Sequence, residues 1–84
     1  MYFLEVRLVK FDMDVVGRRI KSGIVDSGMD YESFAEKVGV STDTVRSWVT
    51  GRTGISLANA VAVADALDWP LDRVAVRERD YTAA

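Results

Sequence analysis

Between Tyr31 and Gly51 the chain reads YESFAEKVGVSTDTVRSWVTG, two short amphipathic runs divided by a glycine, and few folds accommodate that pattern. Asp30 can accept a hydrogen bond from the free amides of a first turn, and Phe34, Ala35 and Val38 recur at helical spacing, which predicts a short helix over 31–38. Gly39 ends it, because glycine tolerates the left-handed backbone that closes a helix sharply. Val40 then turns back toward the core and Ser41 caps a second helix. There Val45, Trp48 and Val49 form the buried side, while Thr42, Asp43, Arg46, Ser47 and Thr50 stand on the other. Short polar groups of this kind hydrogen-bond to base edges and phosphates, and such a helix fits the major groove of B-form DNA.

The flanking sequence predicts more helices to close over Phe34, Val45 and Trp48. Asp12 or Asp14 can cap a first helix ending near Gly28, with Val16, Ile20 and Ile24 four apart on one face. Ser56 caps another, in which Leu57, Ala60, Val61, Ala64 and Leu67 make a stripe of small and apolar groups. Pro70 suits the first turn of a short last helix holding Leu71 and Val74, with Trp69 packed beside it.

Ahead of these helices, Tyr2, Leu4, Val6 and Leu8 alternate with Phe3, Glu5, Arg7 and Val9, a period-two pattern that predicts a β-strand over 2–10. Its amides and carbonyls need a neighbour: the same strand in a second subunit, the tail 74–80 of its own chain, or that tail in a partner. Antiparallel pairing of two identical strands is self-complementary, as a two-fold dimer requires. A homodimer through Tyr2, Leu4, Val6 and Leu8 is therefore the preferred expectation.

Composition narrows the function classes. A chain of 84 residues can bury about 60% of its unfolded surface, enough for one modest core. Without cysteine or histidine, a disulfide framework, a classical zinc finger and histidine-based catalysis are excluded. The carboxylates are scattered and no glycine-rich phosphate cradle occurs, so no enzyme is expected. Glu5, Arg7 and Lys10 interrupt the apolar start, which reads as neither a secretory signal nor a membrane span, and a cytoplasmic location is the default. A formal charge of −2 is unusual for a DNA binder, but the charge is lopsided. Arg18, Arg19 and Lys21 cluster in the first helix and Arg46 and Arg52 flank the second motif helix, whereas 54–72 holds Asp65, Asp68 and Asp72 and no basic residue. Few phosphate contacts and a shallow salt dependence are expected.

The pattern FAEKVGVSTDTVRSWVTGR, followed by a capped alanine-rich helix and then ALDWPLDRV, resembles the phage repressor and Cro helix-turn-helix family over roughly residues 12–75. The resemblance implies a mostly α fold, a compact four- to five-helix bundle of the lambda-repressor-like type over 12–76. The β-strand is added within 1–11, and a charged tail covers 77–84. By position in that family, Thr42, Asp43, Arg46 and Ser47 reach base edges, while Tyr31, Thr50 and Arg52 hold phosphates. Arg18, Arg19 and Lys21 are added as candidate backbone contacts. Tyr31 stands where the family often has glutamine, and Val49 stands where some members place an acid that pairs with the arginine at position 19. Asp43 has two open readings, a carboxylate stabilised by its helix dipole or an acceptor for a cytosine amino group.

Such a chain is expected to be a sequence-specific transcriptional regulator, a small Cro-like repressor bound as a homodimer to a double-stranded operator, with no cofactor, metal, membrane or small-molecule ligand. With no further domain expected after about residue 76, the outline is nearer Cro than the longer repressors. An antitoxin, binding DNA with the bundle and a toxin through the strand or tail, is the alternative. A module binding only proteins is a third reading.

Overall fold

In the computed structural model residues 11–77 are described, and within them five helices follow one another. The strand expected over 2–10, with Tyr2, Leu4, Val6 and Leu8, and the tail beyond Arg77 lie outside the described residues.

Each helix starts and stops for a local reason. Asp12, rather than Asp14, caps α1 (Met13–Ser27), accepting from the Val15 amide at 3.3 Å. Asp30 caps α2 (Tyr31–Val38), accepting from Ser33 at 2.8 Å. That bond from the Ser33 amide, seconded by the Ser33 hydroxyl, holds the Asp30 carboxyl below its ordinary range. The cap therefore stabilises the fold fully above the ordinary value of 3.8 and is lost as acid titrates the carboxyl through its lower folded value. Gly39 adopts φ 92°, and its amide and that of Val40 both return to the Ala35 carbonyl, at 2.8 and 3.0 Å. Ser41 caps α3 (Thr42–Val49) through the Thr44 amide, and Ser56 caps α4 (Leu57–Leu67) through the Asn59 amide, both at 3.1 Å. Asp68 ends α4 in a left-handed conformation, and Pro70 occupies the cap of α5 (Leu71–Val74), one position before the first turn expected for it.

The core gathers Val16, Ile20 and Ile24 of α1, Phe34 and Ala35 of α2, Val45 and Trp48 of α3, and Val74 of α5. The contribution of α4 differs from expectation. Ala60, Val63 and Ala64 are buried, but Leu57 and Val61 are 58% and 41% exposed. Small side chains at 60 and 64 let the α4 backbone approach the bundle, and that face turns Leu57 and Val61 outward. Trp69 lies against Gly23, where a Cβ would stand 2.7 Å from its ring, and the Arg73 guanidinium stacks 4.0 Å from the ring centroid.

The tightest approach joins α1 to α3. A Cβ on Gly17 would collide with the Trp48 carbonyl oxygen and sit 3.0 Å from that of Val49. Only the missing side chain lets the α1 backbone reach the last turn of α3. At the bundle's base, the Asp12 amide donates to the Val76 carbonyl at 2.7 Å and Phe11 and Arg77 form an isolated antiparallel bridge; no strand forms among the described residues.

Gly17→Ala is therefore expected to destabilise the fold by about 1–3 kcal/mol through overpacking against backbone atoms that have little room to yield. The control is Gly54→Ala, whose Cβ would meet nothing within 4 Å. Thermal melting should show a drop of roughly 4–8 °C per kcal/mol for Gly17→Ala alone. Equal melting of the two variants would contradict the close approach.

Candidate nucleic-acid interface

Helix α3 is held from three sides. Val45 and Trp48 are buried in the core, Gly17 admits its last turn against α1, and α2 packs across its start. What remains outward is a stripe four residues apart: Thr42, half-buried, then Arg46 and Thr50, exposed, with Asp43 exposed beside it. Side chains on a helix anchored this way project from a fixed frame, which direct reading of base edges requires.

The hydrogen bonds within the stripe define what it can offer. An Arg46 Nη1 lies 3.4 Å from an Asp43 carboxylate oxygen, and the two side chains are 59% and 90% exposed. A water-exposed ion pair of this kind is worth little by itself, so Arg46 can turn to an acceptor outside the protein while Asp43 limits its wandering. The Thr50 hydroxyl donates to the Arg46 carbonyl at 2.8 Å, closing the helix. Arg52 is exposed just beyond it.

Ser47 departs from the position expected for a base contact. It is 6% exposed, its hydroxyl donates to the Thr44 carbonyl, and it pairs with the Thr53 hydroxyl, both at 2.7 Å. The Ser47 carbonyl also accepts the amides of Arg52 and Thr53, at 2.9 and 3.3 Å. One residue thus fastens the loop after α3, and with it Arg52, to the helix. Position 47 falls about a quarter-turn from the Thr42–Arg46–Thr50 line, which explains the inward placement once the loop folds back on it.

The basic cluster of α1 is divided. Arg18 and Lys21 are exposed, but an Arg19 Nη1 donates to the Arg73 carbonyl at 2.9 Å and so ties α1 to α5. Arg19 has found a backbone acceptor in place of the acid that Val49 does not supply. Tyr31 is half-buried and packs against the core from the first turn of α2. Two residues that matter to the site carried no signal in the linear pattern: Gly17, whose role depends on a contact with residues 48 and 49, and Thr53, whose hydroxyl meets Ser47 only through the folded loop. Between α2 and the start of α3 lies an open groove with Glu32 and Glu36 on its wall. Its charge discourages phosphates on that side.

A helix-turn-helix family model matches residues 20–74. Among solved structures, the restriction-modification controller protein C.AhdI from Aeromonas hydrophila superposes with a TM-score of 0.72 at 25% identity, covering 75% of this chain and 96% of that one. The P22 c2 repressor, crystallised with the synthetic operator 9T, gives 0.69 at 23% identity over 71% of this chain and 91% of its own. The clp gene regulator ClgR from C. glutamicum gives 0.69 at 24% identity, covering 74% of this chain and 80% of that one. The last two likenesses show the fold alone. No curated protein matches the chain.

Ser47→Ala should lower stability by about 1 kcal/mol, the worth of a hydrogen bond to a partner that can still reach water. It should weaken DNA binding a few-fold without altering sequence preference. Relaxed preference at a single base position in a competition assay would instead return Ser47 to the base edge.

Proposed function

Because the chain belongs to the helix-turn-helix family, we propose that it is a sequence-specific DNA-binding regulator, a Cro-like repressor in which α3 reads the major groove of an operator. The observation that carries this reading is the outward stripe of half-buried Thr42 and exposed Arg46 and Thr50, with exposed Asp43 beside it, on a helix whose opposite side is locked into the core.

Arg46 is the principal reader. A guanidinium reaches O6 and N7 of guanine with two parallel hydrogen bonds, which is worth about 1–3 kcal/mol against the wrong base. Thr42, at the start of the helix, offers a hydroxyl and a methyl to the neighbouring base pair. Asp43 holds Arg46 in the free protein and accepts a cytosine amino proton in the complex. Arg52, the Tyr31 hydroxyl and the Thr50 hydroxyl, whose proton turns from the Arg46 carbonyl to do so, take phosphates on either side of the groove, with Arg18 and Lys21 adding longer-range attraction. Arg19 is assigned to the fold, through its bond to Arg73.

Two copies joined through the segment that carries Tyr2, Leu4, Val6 and Leu8 would present two reading helices to a roughly palindromic site with half-site centres about 34 Å apart. Repression follows from occupying promoter DNA, in the cytoplasm, with no cofactor or small ligand in the scheme. No helix among the described residues is long and apolar enough to cross a membrane.

Selection of bound sites from a random DNA pool, run on the wild type and on Arg46→Ala, tests the proposal. The wild type should enrich a two-fold-symmetric sequence, and Arg46→Ala should bind it about 5- to 150-fold more weakly for each half-site, with preference relaxed at one position per half-site. An Arg46→Ala variant with unchanged preference would remove Arg46 from the base edge. No enrichment by the wild type would favour the antitoxin reading, in which a toxin partner completes the DNA-binding unit. For the same site, Arg52→Ala should reduce the slope of log affinity against log salt by about 1 for each half-site.

A further inference from the structure

Among the described residues Asp14 is a carboxylate without a charged partner. Asp12 caps α1, and Asp14 stands exposed in the first turn behind it. The one ion pair in this set joins Arg46 to Asp43, so neither Arg18, about one turn further along α1, nor Arg52 neutralises Asp14 by contact. Its neighbour is instead the loop after α3. A Cβ on Gly51 would stand 3.5 Å from an Asp14 carboxylate oxygen and 3.6 Å from the Met13 carbonyl oxygen. This is the approach that brings Gly17 onto Trp48, continued about one helical turn back along α1 and as many residues past Trp48. The loop is held in place there, since the Gly51 and Arg52 amides donate to the Trp48 and Ser47 carbonyls at 3.0 and 2.9 Å. A negative charge is thus fixed beside the glycine that separates Thr50 from Arg52, the two residues at this end of α3 to which phosphates are assigned.

We propose that Asp14 attenuates binding to the DNA backbone: its charge opposes the phosphate that Thr50 and Arg52 take, so each subunit grips DNA of any sequence less tightly and discrimination is left to α3. A pair of like charges about 7 Å apart in solvent changes an equilibrium about threefold. Specific and unrelated sequences lose alike, because the phosphate is common to both, and sequence preference stays as it is. Unrelated DNA vastly outnumbers any operator, so a regulator that releases it more readily has more free protein with which to occupy its site. A carboxylate in a first helical turn also stabilises the helix through the macrodipole, but that role predicts the opposite sign on removal, a weaker fold and no tighter binding.

This role rests on the reading of DNA by α3, and the experiment separates the two. Fluorescence anisotropy of the full chain is measured with the selected duplex and with a duplex of shuffled sequence, at low and high salt, alongside thermal melting. Asp14→Asn should bind both duplexes about threefold tighter for each half-site and Asp14→Lys about tenfold tighter, with the gain shrinking as salt rises and neither variant melting above wild type. Asp65→Asn, which makes the same change in net charge at an exposed position of α4, should leave binding nearly unchanged. A wild type that prefers its selected duplex, combined with Asp14 variants that bind no tighter, would overturn the role of Asp14 alone, as would an equal gain from Asp65→Asn. A wild type that binds neither duplex would overturn the DNA reading beneath it.

Discussion

The arrangement of the bundle turns on the contact between Gly17 and the last two carbonyls of α3. Buried helices ordinarily stay apart by the thickness of their side chains, but here the α1 backbone meets the Trp48 and Val49 carbonyls with no Cβ between them. That approach seats Trp48 fully in the core and fixes the direction in which the opposite side of α3 projects. Val16 and Ile20, flanking Gly17 on α1, are wholly buried and hold the helix in place. The direction of the proposed reading surface is therefore set mainly from behind, by buried residues of α1 and α3.

From that frame the division of labour on α3 follows. Residues directed to the core are apolar, those on the Thr42–Arg46–Thr50 line are polar and half-buried or exposed, and Ser47 between them clamps the following loop. A serine is small enough to be nearly buried at the edge of the core and still satisfy its hydroxyl twice, so the loop carrying Arg52 gains a fixed start without an exposed side chain being spent on it. The negative net charge is compatible with this surface because the acids of α4 and α5 and the Arg46–Asp43 pair leave the outermost cations where they are needed. Affinity is then asked of a few specific contacts more than of bulk counterion release.

What the linear sequence discloses, and what it does not, divides along the range of the interactions. The caps at Asp30, Ser41 and Ser56 and the turn at Gly39 are legible because each depends on groups within about four residues. The core residues Phe34, Val45 and Trp48 are legible from helical spacing. Ser47 was not, since its burial depends on a loop folding back to bring Thr53 against it. Arg19 was not, because its acceptor is a carbonyl 54 residues away in the chain. Leu57 and Val61 share helical spacing with Ala60 and Ala64, and only the closeness of the packed neighbours decides that the small pair goes in. Gly17 gives no signal of its role within its own helix, because the atoms that require it lie at positions 48 and 49.

The proposed function places DNA against the outward line of α3, which α1 fixes from behind. Amide chemical-shift mapping of the isotope-labelled chain, titrated with its selected duplex, tests it most directly. The largest changes are expected at Thr42, Asp43, Arg46, Thr50 and Arg52, with the exposed Leu57, Val61 and Leu71 of α4 and α5 little changed. Shifts concentrated on α4 and α5, with α3 unmoved, would contradict it.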